Sequence, residues 1–337
     1  QDRVGAVCST QRPGVEGPRH RVPFTRRERL PLDTYTAYAR DGWRLHAGSL
    51  HGIEVGDRFK LDTKIARVVE VDVDRAKLRL ERDDGDTSPS PVRARRISCA
   101  TTREVAWPKH IPRAPGMVEA CAAAPELQWT ERDGAGGFTC EGDALVLRDR
   151  DGVLVHVEPT PGTAHGGARM VAAARRLIRW ERQQRALASL GPALVHVAWG
   201  RAGSREPLPC ERVELREDDV VWLEARGAGE HPDVLVSVFH LRADLGLTHL
   251  DASLDHGHPV RSSERLPLGD LRITRPIHLP RDLPCDGALL ILASIKPRSL
   301  HRMATERTES TEPAAPKVRR DDGPEVSATF LRYRLMP

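Results

Sequence analysis

The sequence lacks the features that mark membrane-spanning and disulfide-rich proteins. None of its 337 residues belongs to an apolar run of about 18 residues, so no transmembrane helix is predicted. No apolar segment near Gln1 is long enough for a secretory signal peptide. The six cysteines, at positions 8, 99, 121, 140, 210 and 285, include no CxxC pair. This spacing fits neither a zinc finger nor a disulfide framework, and it predicts free thiols in the reducing cytoplasm.

Aromatic residues are also scarce, at 4 % of the chain. The 52 Lys and Arg residues are balanced by 48 Asp and Glu residues that are interspersed with them. A nucleic-acid-binding protein would concentrate its positive charge and interleave it with aromatic rings. We therefore predict no nucleic-acid partner and no membrane partner. The 39 % hydrophobic content is sufficient for the cores of two or three domains.

The hydrophobic pattern predicts a mainly β protein with minor α structure, divided into three folded units. Residues 1–33 are rich in Pro, Gly and Arg and predict a linker that leaves an upstream domain. Residues 34–100 predict a small β-barrel-like domain with a polar loop at 83–96, and residues 101–165 predict an α+β domain. Residues 166–337 predict a helix followed by a β-sandwich, with a disordered or looped segment at 302–326.

Alternating apolar residues place strands in each unit. In the first unit Val69, Val71 and Val73 are expected on one face of a strand. In the second, an Asp151-Gly152 turn predicts a hairpin. Six further strands are expected around positions 195–199, 213–215, 221–223, 234–238, 289–293 and 331–335.

A single long helix is predicted over residues 168–189, because apolar residues recur there at three- and four-residue steps. The series includes Met170, Leu177 and Trp180, and Gly191-Pro192 ends it. We interpret Trp180 as an anchor between two layers. Six arginines share the helix, and we interpret them as a solvent-exposed face, with an anion-binding helix as the alternative; they are at 169, 175, 176, 179, 182 and 185.

Three glycines at a four-residue step, Gly48, Gly52 and Gly56, stand between the first strands. They lack the GK[ST] ending of a phosphate-binding loop. Their spacing predicts tight turns with positive φ angles.

These glycines belong to a segment that resembles a known family. The run from Gly42 to Phe59, with Trp43, the three glycines and Asp57, is similar to the segment that follows the peptidase domain of bacterial caspase-like cysteine peptidases. The helix ending in Leu177-Ile-Arg-Trp180 resembles the helix that leads into their C-terminal β-sandwich. The runs 234–241 and 288–293 resemble strands of that sandwich, and the segment 11–17 resembles the exit from the peptidase domain.

The resemblance implies a role without catalysis for this chain. The family's His–Cys dyad belongs to the peptidase domain, and neither its histidine strand nor its cysteine turn occurs here. We therefore expect an accessory or regulatory region that contacts an upstream peptidase domain and an unknown protein partner. Cell-death or conflict systems of bacteria are the setting that the resemblance implies. No catalytic residue and no cofactor are predicted.

One cluster keeps an enzymatic alternative open. His249, Asp251, Asp255, His256 and His258 combine the imidazole and carboxylate ligands that zinc accepts. His256 and Cys285 also imitate a cysteine-peptidase dyad. The alternative function is therefore a metal-dependent or cysteine hydrolase that uses this cluster.

Overall fold

The structure, a computed structural model, describes residues 29–30, 34–39, 42–82, 91–108, 115–130, 137–141, 143–149, 152–159, 163–229, 231, 233–250, 257–262, 264–276, 279–298, 303, 307–308 and 325–337. Within these ranges the chain is mainly β, with two α-helices, and this confirms the predicted fold class. Neither of these helices has the length and apolar character needed to cross a membrane. The five cysteines in the described ranges are free thiols, as predicted.

The predicted linker 1–33 and loop 302–326 lie almost entirely outside the described residues. Their described parts include a short antiparallel pair between strand β1 (Arg29–Leu30) and strand β21 (Arg307–Thr308). The two segments are therefore joined at this point, where the sequence predicted irregular structure in both.

Six strands close into a barrel, as predicted for the first unit. They are β2 (Thr34–Ala39), β3 (Trp43–Leu45), β4 (Arg58–Leu61), β5 (Lys64–Val71), β6 (Ala76–Leu80) and β7 (Val92–Ser98). Their order around the barrel is β2-β3-β6-β5-β4-β7, and β7 pairs with β2. The predicted polar loop 83–96 is wrong from Val92 onward, because Val92 and Ala94 alternate with arginines at the period of a strand.

A bulge in β5 corrects the predicted alternation of Val69, Val71 and Val73. The register with β6 shifts between Val68 and Glu70, so that Val68 is buried in the barrel and Val69 is the extra residue. Val71 packs against the barrel core, whereas Val73 packs against a different core.

The second unit combines a short helix with two small sheets. Its elements are β8 (Arg103–Ala106), α1 (Pro115–Ala122), β9 (Leu127–Thr130), β10 (Phe138–Glu141), β11 (Ala144–Arg148) and β12 (Leu154–Glu158). The strands β8 and β9 are parallel, and β10-β11-β12 is an antiparallel meander. The hairpin predicted across Asp151-Gly152 is confirmed in the β11–β12 pair, although Asp151 itself is outside the described residues.

The predicted long helix, α2, extends from Ala164 to Ala188. It starts four residues earlier than expected because the Thr163 hydroxyl accepts a hydrogen bond from the Gly166 N–H at 3.0 Å and caps the helix. Its end, with Ser189 as the C-cap, agrees with the prediction.

Two sheets pack face to face and form the predicted sandwich. The smaller sheet has the order β13 (Val195–Arg201), β15 (Val220–Gly227) and β19 (Arg265–Arg272). The larger sheet contains β14 (Val213–Leu215), β22 (Val326–Leu335), β20 (Cys285–Ser294), β16 (Asp233–Leu241), β17 (Leu247–His249) and β18 (His258–Arg261). All six strands predicted in this region are present.

Helix α2 belongs to two of the hydrophobic cores. Its N-terminal part, including Met170 and Leu177, packs in the core of the second unit. Its C-terminal part packs through Trp180 in a core that also contains Leu50 from the barrel unit and Phe239 from the larger sheet. The helix therefore connects all three units. The domain boundaries at residues 100 and 165 stay predictions.

Candidate functional site

The glycine-rich segment of the barrel unit lies directly against helix α2. A single 3-10 turn, Ser49–His51, follows Gly48 and ends at Gly52. Gly52 and Gly56 have φ angles of 73° and 98°, which confirms the predicted left-handed turns at these two positions. The sequence thus identified a segment whose backbone conformation requires glycine.

Gly48 requires glycine for a different reason, so the prediction of a positive φ angle is wrong there. Its φ angle is −134°. A Cβ atom at this position would lie closer than 3.0 Å to backbone atoms of Asp72, Val73 and Arg75. The absence of a side chain lets two backbone segments touch, and the N–H groups of Ser49 and Leu50 donate to the carbonyls of Asp72 and Val73.

Asp57, which follows the third glycine, is fully buried. Its carboxylate accepts hydrogen bonds from the N–H of Ala100 at 2.8 Å and from the N–H of Glu54 at 3.2 Å. Two guanidinium groups approach one of its oxygens, Arg96 at 3.6 Å and Arg182 at 3.9 Å. A buried carboxylate with two amide donors and two cationic neighbours meets the requirements for a stable buried charge.

Arg96 and Arg182 come from different elements, β7 and α2, and both donate to the carbonyl of Gly52, at 3.1 and 3.4 Å. The Arg96 guanidinium also lies 5.9 Å from the Tyr35 ring centroid and 5.8 Å from that of Phe59. Arg182 donates in addition to the carbonyl of Thr101. We call Asp57, Arg96 and Arg182, with the Gly52 carbonyl, the charged junction.

Cys99 is the thiol that lies against the charged junction. Its sulfur lies 3.8 Å from Nη1 of Arg96 and 3.6 Å from Nη1 of Arg182. Burial raises the pKa of the Cys99 thiol, although the two arginines act in the opposite direction. The net shift is upward from 9.0, so the sulfur is a thiol at neutral pH and not the thiolate that a cysteine nucleophile requires.

The six arginines of helix α2 are not the solvent-exposed face that the sequence suggested. Arg182 is buried, and Arg175, Arg176 and Arg179 are half-buried. Arg169 and Arg185 are exposed but ion-paired. Among the remaining five, the partners are Glu158 for Arg169, Glu126 for Arg175, the Asp244 carbonyl for Arg176, the Met303 carbonyl for Arg179 and Glu54 for Arg185. The interpretation failed because other units cover the helix on its polar side.

The two tryptophans singled out in the sequence both pack inside the protein. Trp43 is half-buried against the barrel core and lies opposite Leu78. Trp180 is 6 % exposed, and its ring centroid is 6.2 Å from that of Phe330 on β22. Because Leu50 shares the same core, the expectation that Trp180 anchors two layers is confirmed.

The structure separates the two described histidines of the predicted metal cluster. His249 lies opposite Phe239 and stacks on it, with ring centroids 4.7 Å apart, on the helix side of the larger sheet. His258 lies opposite Val236, which faces the sandwich core. Cross-strand partners share a face, whereas residues an odd number of positions apart on one strand point to opposite faces. Phe239 and Val236 are three positions apart on β16, so their partner histidines lie on opposite faces of the sheet. In the described ranges no three metal-ligating side chains come together; Asp251, Asp255 and His256 are outside them.

The alternative dyad of His256 and Cys285 is tested only at the cysteine. Cys285 is the first residue of β20 and is 3 % exposed in the sandwich core. Burial raises the pKa of its thiol. A buried thiol in this state lacks the access and the charge of a nucleophile.

Sequence reasoning missed a polar pair inside the sandwich. His240 Nε2 and the Tyr333 hydroxyl are 2.6 Å apart, and both residues are buried. Burial, followed by the nearby Arg242, lowers the pKa of His240 to about 4, and burial raises the pKa of Tyr333. Gly287 was the available signal, because a side chain there would collide with the Tyr333 ring.

Comparisons with known proteins identify no relative of this chain: no family model, no curated protein and no solved structure matches it. The resemblance to caspase-like peptidases therefore depends on the sequence motifs alone. The charged junction is built to hold the barrel on the helix, since each of its charged groups has bonds within the protein. The charged junction therefore has a structural role, which is to stabilise the contact between the barrel and helix α2.

Proposed function

We propose that this chain is a non-catalytic accessory region that binds a partner, as expected for the segment after the peptidase domain of a caspase-like cysteine peptidase. Its partners would be that upstream domain and a further protein. The proposal extends the sequence resemblance and includes the setting that it implies, a cell-death or conflict system of bacteria.

The observation that supports this proposal is the position of helix α2. Its arginines reach the Gly52 carbonyl of the barrel unit, Glu126 of the second unit and the Asp244 carbonyl beside the larger sheet. Three units fixed to one helix present their outer surfaces in a constant arrangement. A rigid display of this kind suits recognition, because little ordering entropy is lost on binding.

An activity assay separates this proposal from the hydrolase alternative. Purified chain is incubated with a peptide library, and bound metal is measured in the same sample. We expect no hydrolysis and less than one tenth of an equivalent of zinc. Hydrolysis that is lost in Cys285→Ser, or stoichiometric zinc that is lost in His258→Ala, would overturn the proposal. Cys99→Ser is the matched control for the first variant.

The link to a peptidase is tested by the coding sequence upstream of Gln1. An in-frame domain with a His–Cys dyad supports the link, and its separately expressed form should co-elute with this chain in size-exclusion chromatography. A start codon close to Gln1 with no such domain would refute the link while leaving a binding role to be tested on its own.

A further inference from the structure

The outer surface of the barrel carries basic residues that face one another across neighbouring strands. The register places Lys60 opposite Arg95, Arg67 opposite Arg79, and Arg44 opposite Lys77. All six side chains are exposed. We call these six residues the basic band.

The basic band is continuous. Lys60 and Arg67 are diagonal neighbours on β4 and β5, and Lys77 and Arg79 are two residues apart on the same face of β6. Adjacent strands are about 4.8 Å apart and alternate residues about 6.7 Å apart, so each positive charge has the next within one side-chain length. The band therefore runs from β7 across β4, β5 and β6 to β3, which covers five neighbouring strands of the closed barrel.

The stability of the barrel does not explain this arrangement. Like charges directly opposite each other on a sheet destabilise it. Within the described residues none of the six forms an ion pair, whereas Arg58 beside them is held by Glu81 at 2.6 Å. Two acidic residues offset part of the charge, because Glu70 lies opposite Lys77 and the positive charge of Arg67 contributes, after that of Arg58, to the lowered pKa of Glu81. Three like-charged pairs in one continuous series therefore point to a partner that supplies the negative charge.

The geometry of the band favours a flexible polyanion. A band that curves round five strands of a barrel can be followed by a chain that bends, whereas a straight duplex would contact one side of it. At its β3 end the band meets an aromatic ring, because Tyr38 on β2 lies opposite Arg44 and is half-buried. A track of positive charge beside an aromatic ring matches the chemistry of single-stranded nucleic-acid binding.

We propose that the basic band binds single-stranded nucleic acid, mainly through its phosphates. This inference goes beyond the proposed function, whose expected partners are proteins. The sequence predicted no nucleic-acid partner because basic and acidic residues are mixed along the chain. The alternation of the strands separates them in space and directs the basic side chains of β4, β6 and β7 outward.

The test uses the whole chain and a fluorescein-labelled oligo-dT of 20 nucleotides, whose binding is followed by fluorescence anisotropy at several salt concentrations. The variant is Lys60→Glu/Arg79→Glu, which turns two like-charged pairs into opposite-charged pairs. The matched control is Arg205→Glu/Arg226→Glu on the sandwich, where both arginines are exposed and Arg226 also lies opposite a basic residue, Arg265.

We expect the band variant to bind at least tenfold more weakly than the unmodified chain, with a salt slope shallower by about 1.4 for two lost phosphate contacts. The control should change affinity less than twofold. The thermal midpoint of the band variant should stay the same or rise, which separates lost binding from lost folding.

Three results would overturn the inference: no binding of oligo-dT at about 50 mM salt, equal losses in the band and control variants, or equal affinity for a 20-base-pair duplex or polyglutamate. None of these results would contradict the proposed function, because that function is tested separately by the assays of peptide hydrolysis and bound metal.

Discussion

Two sets of basic residues in this protein have opposite environments. Four arginines of helix α2, at 175, 176, 179 and 182, are at least half-buried and donate to a carboxylate or to carbonyls inside the protein. The residues of the basic band are exposed and lie opposite other basic residues on neighbouring strands. Both sets consist of positively charged residues, and the sequence alone does not distinguish them. The number of basic residues therefore says little about their role.

The difference lies in what surrounds each charge. A guanidinium group in a covered position must find acceptors, since an unpaired buried charge is costly. An exposed group is solvated and has no such requirement. We call the covered arginines of α2 the inner set and the basic band the outer set. Folding fixes the side chains of the inner set, whereas those of the outer set are accessible to a partner. Substitutions in the two sets should consequently have opposite effects on the free energy of unfolding.

The largest effect is expected for Asp57→Ala, which leaves Arg96 and Arg182 without their shared carboxylate. Removing one partner of a buried ion pair costs about 3–5 kcal/mol of unfolding free energy. Urea denaturation measures this loss. Asp270→Ala, at an exposed position of β19, is the control and should change stability by less than about 0.5 kcal/mol. Equal effects of the two variants would show that the charged junction contributes nothing.

Trp180→Ala tests how much the apolar core shared by α2, the barrel unit and the sandwich contributes to stability. The tryptophan is 6 % exposed and contacts residues of the barrel unit and of the sandwich, so its truncation should cost about 3 kcal/mol. Trp222→Ala, at a half-buried position on the smaller sheet, should cost clearly less. A larger loss in Trp222→Ala than in Trp180→Ala would contradict the role of α2 as the common support.

The buried His240 predicts a dependence of stability on pH. In the unfolded chain this histidine takes up a proton near pH 6.5, whereas in the folded chain it does so only near its lowered pKa of about 4. The unfolded state therefore binds more protons in this window, and stability falls as the pH is lowered through it. Between about pH 7.5 and pH 5 the loss should be about 2 kcal/mol.

Urea denaturation at the two pH values checks the expectation for His240. His240→Leu should flatten the dependence, since no imidazole is left to titrate. His196→Gln, at an exposed position, should leave the dependence as it is. A chain whose stability is equally pH-dependent with and without His240 would assign the effect to other groups.

The smallest effect belongs to the outer set and has the opposite sign. Lys60→Glu places a carboxylate opposite Arg95 and should raise the unfolding free energy by about 0.2–1 kcal/mol. Urea denaturation in low salt detects the gain, and added salt should reduce it. A loss of stability would mean that Lys60 already has a structural role, and the comparison between the two sets would fail.

The strands and the helix were predictable because their patterns are local. Alternation identified β13, β15, β16, β20 and β22, and the three- and four-residue steps identified α2. The bulge at Val69 and the strand that begins at Val92 were misjudged, since both depend on the register with a neighbouring strand. The alternating runs Lys77-Leu-Arg79 and Arg93-Ala-Arg95 were a usable signal for the outer set.

The candidate site was less predictable because its members come from distant parts of the sequence. Asp57 was noted only through a resemblance, and its partners Arg96 and Arg182 are 39 and 125 positions away in the printed sequence. The arginines of α2 were assigned to solvent because nothing in a helix pattern shows what packs against its polar side. The His240–Tyr333 pair likewise becomes visible only when β16 and β22 are placed in one sheet.

A helix that contributes to several cores also limits how the protein can be divided. Cutting the chain on either side of α2 would expose the apolar residues of whichever piece lost the helix, and that piece would aggregate. We expect heating to melt the chain in one cooperative step, with the barrel and the sandwich losing their structure together. Loss of the helix would leave two of the described cores incomplete, because the core of the second unit and the core around Trp180 both include α2 residues, whereas the barrel also has a core of its own.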